Sequence, residues 1–400
     1  MKRIWILAGE ASGDLYGARL AEELRRIAAE RGEPLELSGM GGPRMIAAGI
    51  PVKVDSSELG VMGLIEVLKL LFTFIGVFFK LVFAARRERP DATVLIDYPG
   101  FNLLFALVMK LSGIRVVWYI SPHLWVWGKW RKPVLARLCS RMLVIFPFET
   151  EVFAGTGLRC DFVGHPLIDI VEERRDPAIR RDPDVFLLLP GSRKMEIARL
   201  FRPMLDCLAP LAAERPGLVF HLAAPREKIA AQCRAILDAY RRKHPETPEV
   251  TISVGDTGEW LQRAGTGLAA SGTITVEAAI AGLPLVVGYR LNYVTLAIAS
   301  LVVRLYRGFF TMTNIIADRA VYREFLQWHF VPKELLPAIR EILPDGARRA
   351  EVESGMDEVR ELLSDRGATA TAARRAALAC WEEASIPPKN AKGIDKTAKA

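Results

Sequence analysis

Apolar residues fall along this chain in short runs, each closed by Gly, Pro or Asp and separated from the next by a stretch long enough for a helix. Arg3–Ala8, Thr93–Asp97, Arg115–Ile120 and Met142–Phe146 make a first series; Val185–Pro190, Leu218–Leu222, Thr266–Ala270 and Pro284–Tyr289 make a second. Strand-length runs alternating with helices predict parallel sheets built from βαβ units. Between the series, Glu172–Asp184 (EERRDPAIRRDPD) is charged, twice broken by Asp-Pro and without apolar period, as an interdomain linker is. The expected fold is α/β, with two Rossmann-like parallel-sheet domains over 1–175 and 183–335 and a cleft between them. Residues 336–386 read as polar helices rich in Arg, Glu and Ala, and 387–400 as a disordered tail.

One segment departs from this pattern. Leu64–Phe83 (LIEVLKLLFTFIGVFFKLVF) is apolar except at Glu66, Lys69, Thr73, Gly76 and Lys80, whose spacing of three, four, three and four puts them on one narrow stripe of a helix. The rest of the circumference is apolar and includes Phe72, Phe74, Phe78 and Phe79. A core helix accounts for this. So does insertion of the apolar surface into one leaflet of a bilayer, with the polar stripe toward protein and Arg86, Arg87 and Arg89 assisting. The membrane reading is the sharper one and places a lipid substrate beside the helix.

At 400 residues, 51% hydrophobic and 25% charged, the chain can form two or three domains and is too apolar for general disorder. Fifty-four Lys and Arg against 46 Asp and Glu leave a net charge of +8, favouring phosphates, nucleic acid or an acidic membrane face as partners. No nucleic-acid-binding motif appears, so nucleic acid drops behind. Mean hydropathy is +0.18, yet no stretch reaches the ~18 uninterrupted apolar residues of a spanning helix. The opening MKRIWILAGEASGD has too short an apolar run for a signal peptide and reads as a first strand. Five cysteines (Cys139, Cys160, Cys207, Cys233, Cys380) are an odd number without ligand spacing, which disfavours a disulfide framework or structural zinc and fits a reducing cytoplasm.

Three glycine-containing loops follow predicted strands. AGEASGD (Ala8–Asp14) opens a helix whose N-terminal N–H groups suit an anion or a sugar, and a plain turn capped by Ser12 or Asp14 explains it equally well. LLPGSR (Leu188–Arg193) sets an arginine at a strand end, where its forked guanidinium suits phosphate. In ASGTITVEAAIAG, beginning at Ala270, Ser271, Gly272 and Thr273 start a helix toward a phosphate, and Glu277, one turn on, can accept hydrogen bonds from ribose hydroxyls. A Ser/Thr cap with an unrelated glutamate is the alternative. No GxGxxG or Walker A pattern occurs, so dinucleotide oxidoreduction and nucleotide hydrolysis are disfavoured.

VLIDYPGFN (Val94–Asn102) delivers Asp97 at a strand end, either as a general base or as the residue that fixes the Pro99-Gly100 turn. His123 and His165 follow strands too and are second choices. Asp182-Pro183-Asp184 spells the DxD of metal-dependent glycosyltransferases, but it precedes its strand, at the wrong end for a ligand, so no metal site is expected.

These motifs together, with SPHLWVW (Ser121–Trp127), FVGHP, VVGYR and NIIADR (Asn314–Arg319), resemble the lipid-A-disaccharide synthase family, inverting glycosyltransferases of the GT-B fold, over roughly Ile4–Gln327. The resemblance implies transfer from UDP-2,3-diacylglucosamine to 2,3-diacylglucosamine 1-phosphate at the cytoplasmic face of the inner membrane, by a peripheral enzyme without metal or cofactor. It implies acceptor-side and catalytic roles for Ser12 and Asp97, and donor contacts for Arg193, Ser271, Thr273, Glu277 and Asn314. Thr313, Asp318 and Val126 depart from the family pattern, which bears on sugar or acyl preference more than on reaction class. A UDP-sugar epimerase of similar fold and a non-catalytic lipid-surface module are the alternatives, and a homodimer stays open.

Overall fold

The computed structural model describes residues 1–56, 64–122, 124, 131–290, 308–364 and 370–387, with the backbone alone at Ala11 and over 64–72. The chain divides into two units: unit 1 takes Met1–Pro166 together with Asp365–Ala400, and unit 2 takes Leu167–Ser364.

Unit 1 is built on β1 (Lys2–Ala8), β2 (Leu35–Gly41), β3 (Val52–Asp55), β4 (Ala92–Ile96), β5 (Arg115–Tyr119), β6 (Arg141–Val144) and β7 (Arg159–Phe162). They form one parallel sheet in the order β3-β2-β1-β4-β5-β6-β7. The described helices connecting them are α1 (Ala11–Arg31), α2 (Pro43–Ala47), α3 (Leu64–Glu88), α4 (Pro99–Leu111), α5 (Arg131–Leu138) and α6 (Glu149–Phe153). Central strands such as Ile4–Ala8 and Ala92–Ile96 are buried end to end, which is why they stand out as apolar runs. The core gathers Trp5, Leu95, Phe105, Trp118 and Phe153, side chains that each contribute about 1.5–3 kcal/mol on full burial. Chain order reverses between β1 and β4, a topological switch point whose carboxyl edge is where open α/β sheets hold their ligands.

Helix α3 corrects one expectation. Phe74, Val77 and Phe78 pack against the core with Leu81, Val82 and Ala85, and Phe78 meets Phe101 and Phe105 of α4 edge-on at 5.6 and 6.3 Å. The expected lipid-facing residues therefore divide: Phe74 and Phe78 turn inward, Phe79 is exposed, and the side chain of Phe72 lies outside the described residues. Thr73, Gly76 and Lys80 share the exposed face with Ile75 and Phe83, so the described part of the polar stripe points away from the protein. The reason is the sheet, which needs a strongly apolar flank and takes the Phe74/Phe78 side. Among the described residues no helix is long and apolar enough to cross a membrane.

Unit 2 opens on α7 (Pro166–Glu173) and an irregular stretch over 174–181, inside the expected linker. Its strands are β8 (Asp182–Leu189), β9 (Val219–Ala224), β10 (Val250–Val254), β11 (Ala264–Ala270), β12 (Leu285–Tyr289) and β13 (Arg323–Leu326), parallel throughout in the order β10-β9-β8-β11-β12-β13. The helices are α8 (Lys194–Leu205), α9 (Leu208–Glu214), α10 (Glu227–Arg241), α11 (Thr257–Arg263), α12 (Thr273–Ala281), α13 (Met312–Ala317), α14 (Pro332–Arg340) and α15 (Arg349–Leu363). Here the order reverses between β8 and β11. The polar helices expected over 336–386 separate, because the last, α16 (Ala372–Ser385), belongs to unit 1 and packs on α1, β1, β4 and β5. Its Trp381 and Cys380 are buried, and its Arg374 reaches Glu23 and Glu30 of α1 at 3.5 and 2.5 Å. The buried Arg141 of β6 is held between Asp161 at 2.6 Å and Glu382 at 2.7 Å.

Candidate functional site

At the carboxyl edge of the unit 1 sheet, β4 delivers Asp97 and Tyr98 in consecutive left-handed conformations, with φ of 46° and 50°. Residues with a Cβ seldom adopt this geometry, so something must hold it. Asn102, fully buried in α4, does so: its Nδ2 donates to the carbonyls of Ile96 at 3.3 Å and Asp97 at 2.7 Å. The Asp97 N–H donates to Tyr119 of β5 at 3.1 Å. Across the switch point the loop after β1 approaches so closely that a Cβ on Gly9 would stand 2.3 Å from the Tyr98 ring, which requires glycine there.

Carboxylates crowd this edge. Burial, and then the Glu10 carboxylate, push Asp97 from 3.8 up to about 6, against the pull of the Tyr98 N–H. Glu149, at the start of α6, is almost fully buried, with Oε2 accepting from the Phe146 N–H at 3.1 Å. Burial pushes it up to about 8; the Phe146 and Ile145 N–H groups and the Ser121 hydroxyl oppose the rise and Asp97 reinforces it. An aspartate that is ionised near neutrality yet basic enough to accept a proton is suited to general-base work on a hydroxyl. His165 is unsuited: buried against Phe146, with ring centroids 5.4 Å apart, it is pushed down to about 3 and stays neutral. His123 and Val126 lie outside the described residues.

Ser12 is exposed in the first turn of α1, on the same edge. Asp14 serves a different helix from the one it was expected to cap. It is buried, and its carboxylate accepts from the backbone N–H groups of Gly42 at 2.7 Å, Arg44 at 2.9 Å and Met45 at 3.0 Å, which caps α2.

In unit 2 the loops after β8 and β11 leave from neighbouring strands at the switch point. Arg193 precedes α8 with an exposed guanidinium, 3.4 Å from Glu196. Glu196 also takes the N–H groups of Ser192 and Arg193, both at 3.3 Å, so the turn's backbone donors are already engaged. Ser271 is pinned by its N–H to the Gly288 carbonyl at 2.8 Å, Thr273 is exposed as the first residue of α12, and Glu277 is half-buried one turn on. Together they make a turn-plus-helix N-terminus fitted to an anion, with a carboxylate one turn away.

Asn314 sits differently from the expected donor contact. It is fully buried, its Nδ2 donates to the Tyr322 carbonyl at 2.8 Å and Glu324 at 3.3 Å, and its Oδ1 accepts from the Tyr322 N–H at 2.9 Å. Its amide holds the 314–322 turn. Glu324 in turn accepts from the N–H groups of Phe310 and Thr311, at 3.0 and 2.7 Å. Of the three departures from the family pattern, the two among the described residues are accommodated locally: Thr313 donates its hydroxyl to the Thr275 carbonyl of α12 at 3.0 Å, and Asp318 ends α13 at φ 50°. Asp182 and Asp184 open β8, at the edge opposite to these loops.

Glu149, Glu196 and Glu324 escaped the sequence reading. The available signal was an acidic residue within a few positions of a strand end inside an apolar setting, as in FPFET at Phe146–Thr150.

Most of the chain has counterparts among known proteins. A family model described as lipid-A-disaccharide synthetase matches residues 4–378. The lipid-A-disaccharide synthase of Koribacter versatilis (strain Ellin345) is 36% identical over 384 residues, covering 94% of this chain and 97% of the relative. That of Anaeromyxobacter dehalogenans (strain 2CP-C) is 36% identical over 376 residues, covering 92% and 94%. Among solved structures, a UDP co-structure of S. aureus MnaA superposes with a TM-score of 0.61 at 15% identity over 91% of this chain and 93% of that one. The glycotransferase of kitacinnamycin gives 0.61 at 19% identity, over 95% and 98%. At these identities the structural matches speak for the fold alone, that of GT-B glycosyltransferases and UDP-sugar epimerases. The sequence matches, over more than nine-tenths of both partners, go further: this chain belongs to the lipid-A-disaccharide synthetase family.

Proposed function

We propose that this glycosyltransferase of lipid A biosynthesis joins UDP-2,3-diacylglucosamine to 2,3-diacylglucosamine 1-phosphate, giving the β-1,6-linked disaccharide 1-phosphate and UDP. The observation that carries the reading is Asp97, held left-handed at the unit 1 switch point and raised by burial and Glu10 into the range of a working base. Asp97 takes the proton of the acceptor's primary hydroxyl. The freed oxygen forms its bond to the anomeric carbon as the bond from that carbon to the diphosphate breaks, with inversion, and UDP leaves with the electron pair. Arg193 and the N-terminus of α12, with Ser271 and Thr273, meet the diphosphate's charge, and Glu277 accepts from the ribose hydroxyls. Ser12 contacts the acceptor, and Asn314 acts by positioning.

Both substrates carry acyl chains, so the enzyme must work at a lipid surface. The exposed side of α3, with Phe79, Ile75 and Phe83, supports attachment to an anionic membrane on the cytoplasmic side. Incubating the pure chain with the two lipids and seeking disaccharide and UDP by mass spectrometry tests the reaction. Appearance of an epimerised UDP-sugar without disaccharide would favour the epimerase reading.

A further inference from the structure

At the far end of α3 and α4 from Asp97, roughly 20 Å along the helices, lies a cavity of about 330 Å³ lined by Arg86, Arg89, Leu111, Ser112 and Ile114. Arg86 donates its Nε–H to Ser112 Oγ at 3.1 Å, which fixes the plane of the guanidinium at the cavity wall. Among the described residues neither its Nη groups nor the Arg89 side chain has an acceptor. Arg89 itself stands at φ 46°, a left-handed turn that carries the chain from α3 to Pro90 and brings a second guanidinium beside the first. Two forked, permanently charged groups over one concave site are the chemistry that recognises a phosphate.

The surroundings say where that phosphate comes from. Helices α3 and α4 run side by side, Phe78 lying against Phe101 and Phe105 while Arg86 reaches Ser112, so their outer faces form one surface. That surface exposes Ile75, Phe79 and Phe83 from α3 and Leu104, Leu107 and Leu111 from α4. Lys80, Arg87 and Lys110 are exposed on the same two helices, and neither 67–87 nor 98–122 contains an Asp or Glu. Glu88, the nearest acid in sequence, is tied to Lys53 at 2.8 Å with Arg87 at 3.9 Å, and Asp91, two positions past Arg89, accepts from the Arg3 N–H at 2.8 Å. Apolar side chains ringed by cations, with a phosphate-sized basic cavity at the end, complement an anionic bilayer.

We infer that the Arg86–Arg89–Ser112 cavity binds the phosphate of an anionic membrane lipid while the exposed residues of α3 and α4 enter the same leaflet. This rests on the membrane attachment proposed above and adds a defined headgroup site to it.

The test is vesicle flotation of the full chain on phosphatidylcholine vesicles carrying either phosphatidate or, at matched surface charge, a carboxylate lipid. Arg86→Lys/Arg89→Lys keeps the charge and removes the forked donors, so partition onto phosphatidate vesicles falls about tenfold and falls less on carboxylate vesicles, whose two oxygens occupy one guanidinium where the three of a phosphate engage both. Arg87→Lys, outside the cavity, changes neither, and a melting curve confirms that each variant is folded. Equal partition of the double variant and the parent on phosphatidate overturns the headgroup site, as does an equal loss on both vesicle types. Binding of inorganic phosphate by the parent chain, lost in the double variant, with no preference of the parent for phosphatidate over carboxylate vesicles, overturns the assignment to a lipid. A parent chain that floats on neither vesicle sinks the membrane reading itself, a result distinct from all of these.

Discussion

Replacing Asp97 by Asn separates the two consequences of its environment. Asn keeps the shape and the bond from the Tyr98 N–H but cannot take a proton, so turnover should fall ~10²–10⁴-fold with substrate binding largely retained. The stability effect has the opposite sign. Because the folded state raises Asp97 from 3.8 to about 6, the native chain holds this proton in a pH range where the unfolded chain has released it. The carboxyl's contribution is therefore intact below about pH 3.8 and is lost as pH rises through about 6. By pH 7 ionisation in the native site costs about 3 kcal/mol, which a neutral side chain avoids. The variant should be more stable by that order at pH 7, by roughly half as much at pH 5, and by nothing near pH 3. For a unit of this size that is roughly 6–12 °C in melting temperature at neutral pH. Calorimetric melts at the three pH values, beside initial rates of disaccharide formation, give both readouts. An inactive variant whose melting temperature matches the parent at pH 7, or whose advantage does not shrink on acidification, would falsify the assignment of a strained, burial-raised base.

Three further outcomes follow from other residues. Arg193→Ala and Glu277→Ala should each weaken UDP binding about ten- to a hundredfold, since a hydrogen bond to a charged group is worth ~1.5–3 kcal/mol; unchanged calorimetric affinity in both would remove the donor site from these loops. Asp14→Ala strands three N–H donors at the start of α2 and should cost about 2–4 kcal/mol, read as a lower denaturant midpoint, whereas a loss below 1 kcal/mol would mean that water replaces the cap. Asp318→Gly relieves a left-handed residue at the end of α13 and should stabilise the chain by up to about 1 kcal/mol with activity retained; a lower melting temperature would show that Asp318 makes a contact outweighing its strain.

The strands that emerged from the sequence are those buried on both faces, since only there does the chain need an unbroken apolar run. Those that did not emerge have other constraints. β2 reads LELSGMG, and its Gly39 is required because a Cβ would meet the Ile6 carbonyl oxygen at 1.9 Å, a fact of the neighbouring strand and not of local pattern. β13 is a four-residue edge strand with Arg and Glu in it. Asp97 was legible because strand ends at a switch point are where ligands go, but its strain and its carboxylate neighbours arrive from β1, β5 and β6. For α3 the period marked a polar stripe without saying which apolar flank the sheet would take. Asn314 illustrates the same limit: a polar residue in a ligand-like motif proves to be occupied by Tyr322 and Glu324, partners eight and ten positions away.

Helix α16 gives unit 1 a peculiarity of biosynthesis. The chain emerges from the ribosome in order, and unit 2 lies wholly between the two parts of unit 1, so the first sheet must wait while some two hundred residues are made before its last helix arrives. Until then Arg141 has only Asp161 at its guanidinium, Glu23 and Glu30 lack Arg374, and the strip of α1 and β1 that Trp381 will cover is wet. Unit 2 has no such delay and can complete itself first, an inversion of the usual N-to-C order of domain folding. The nascent protein is then most exposed to misassembly in the half that it began earliest.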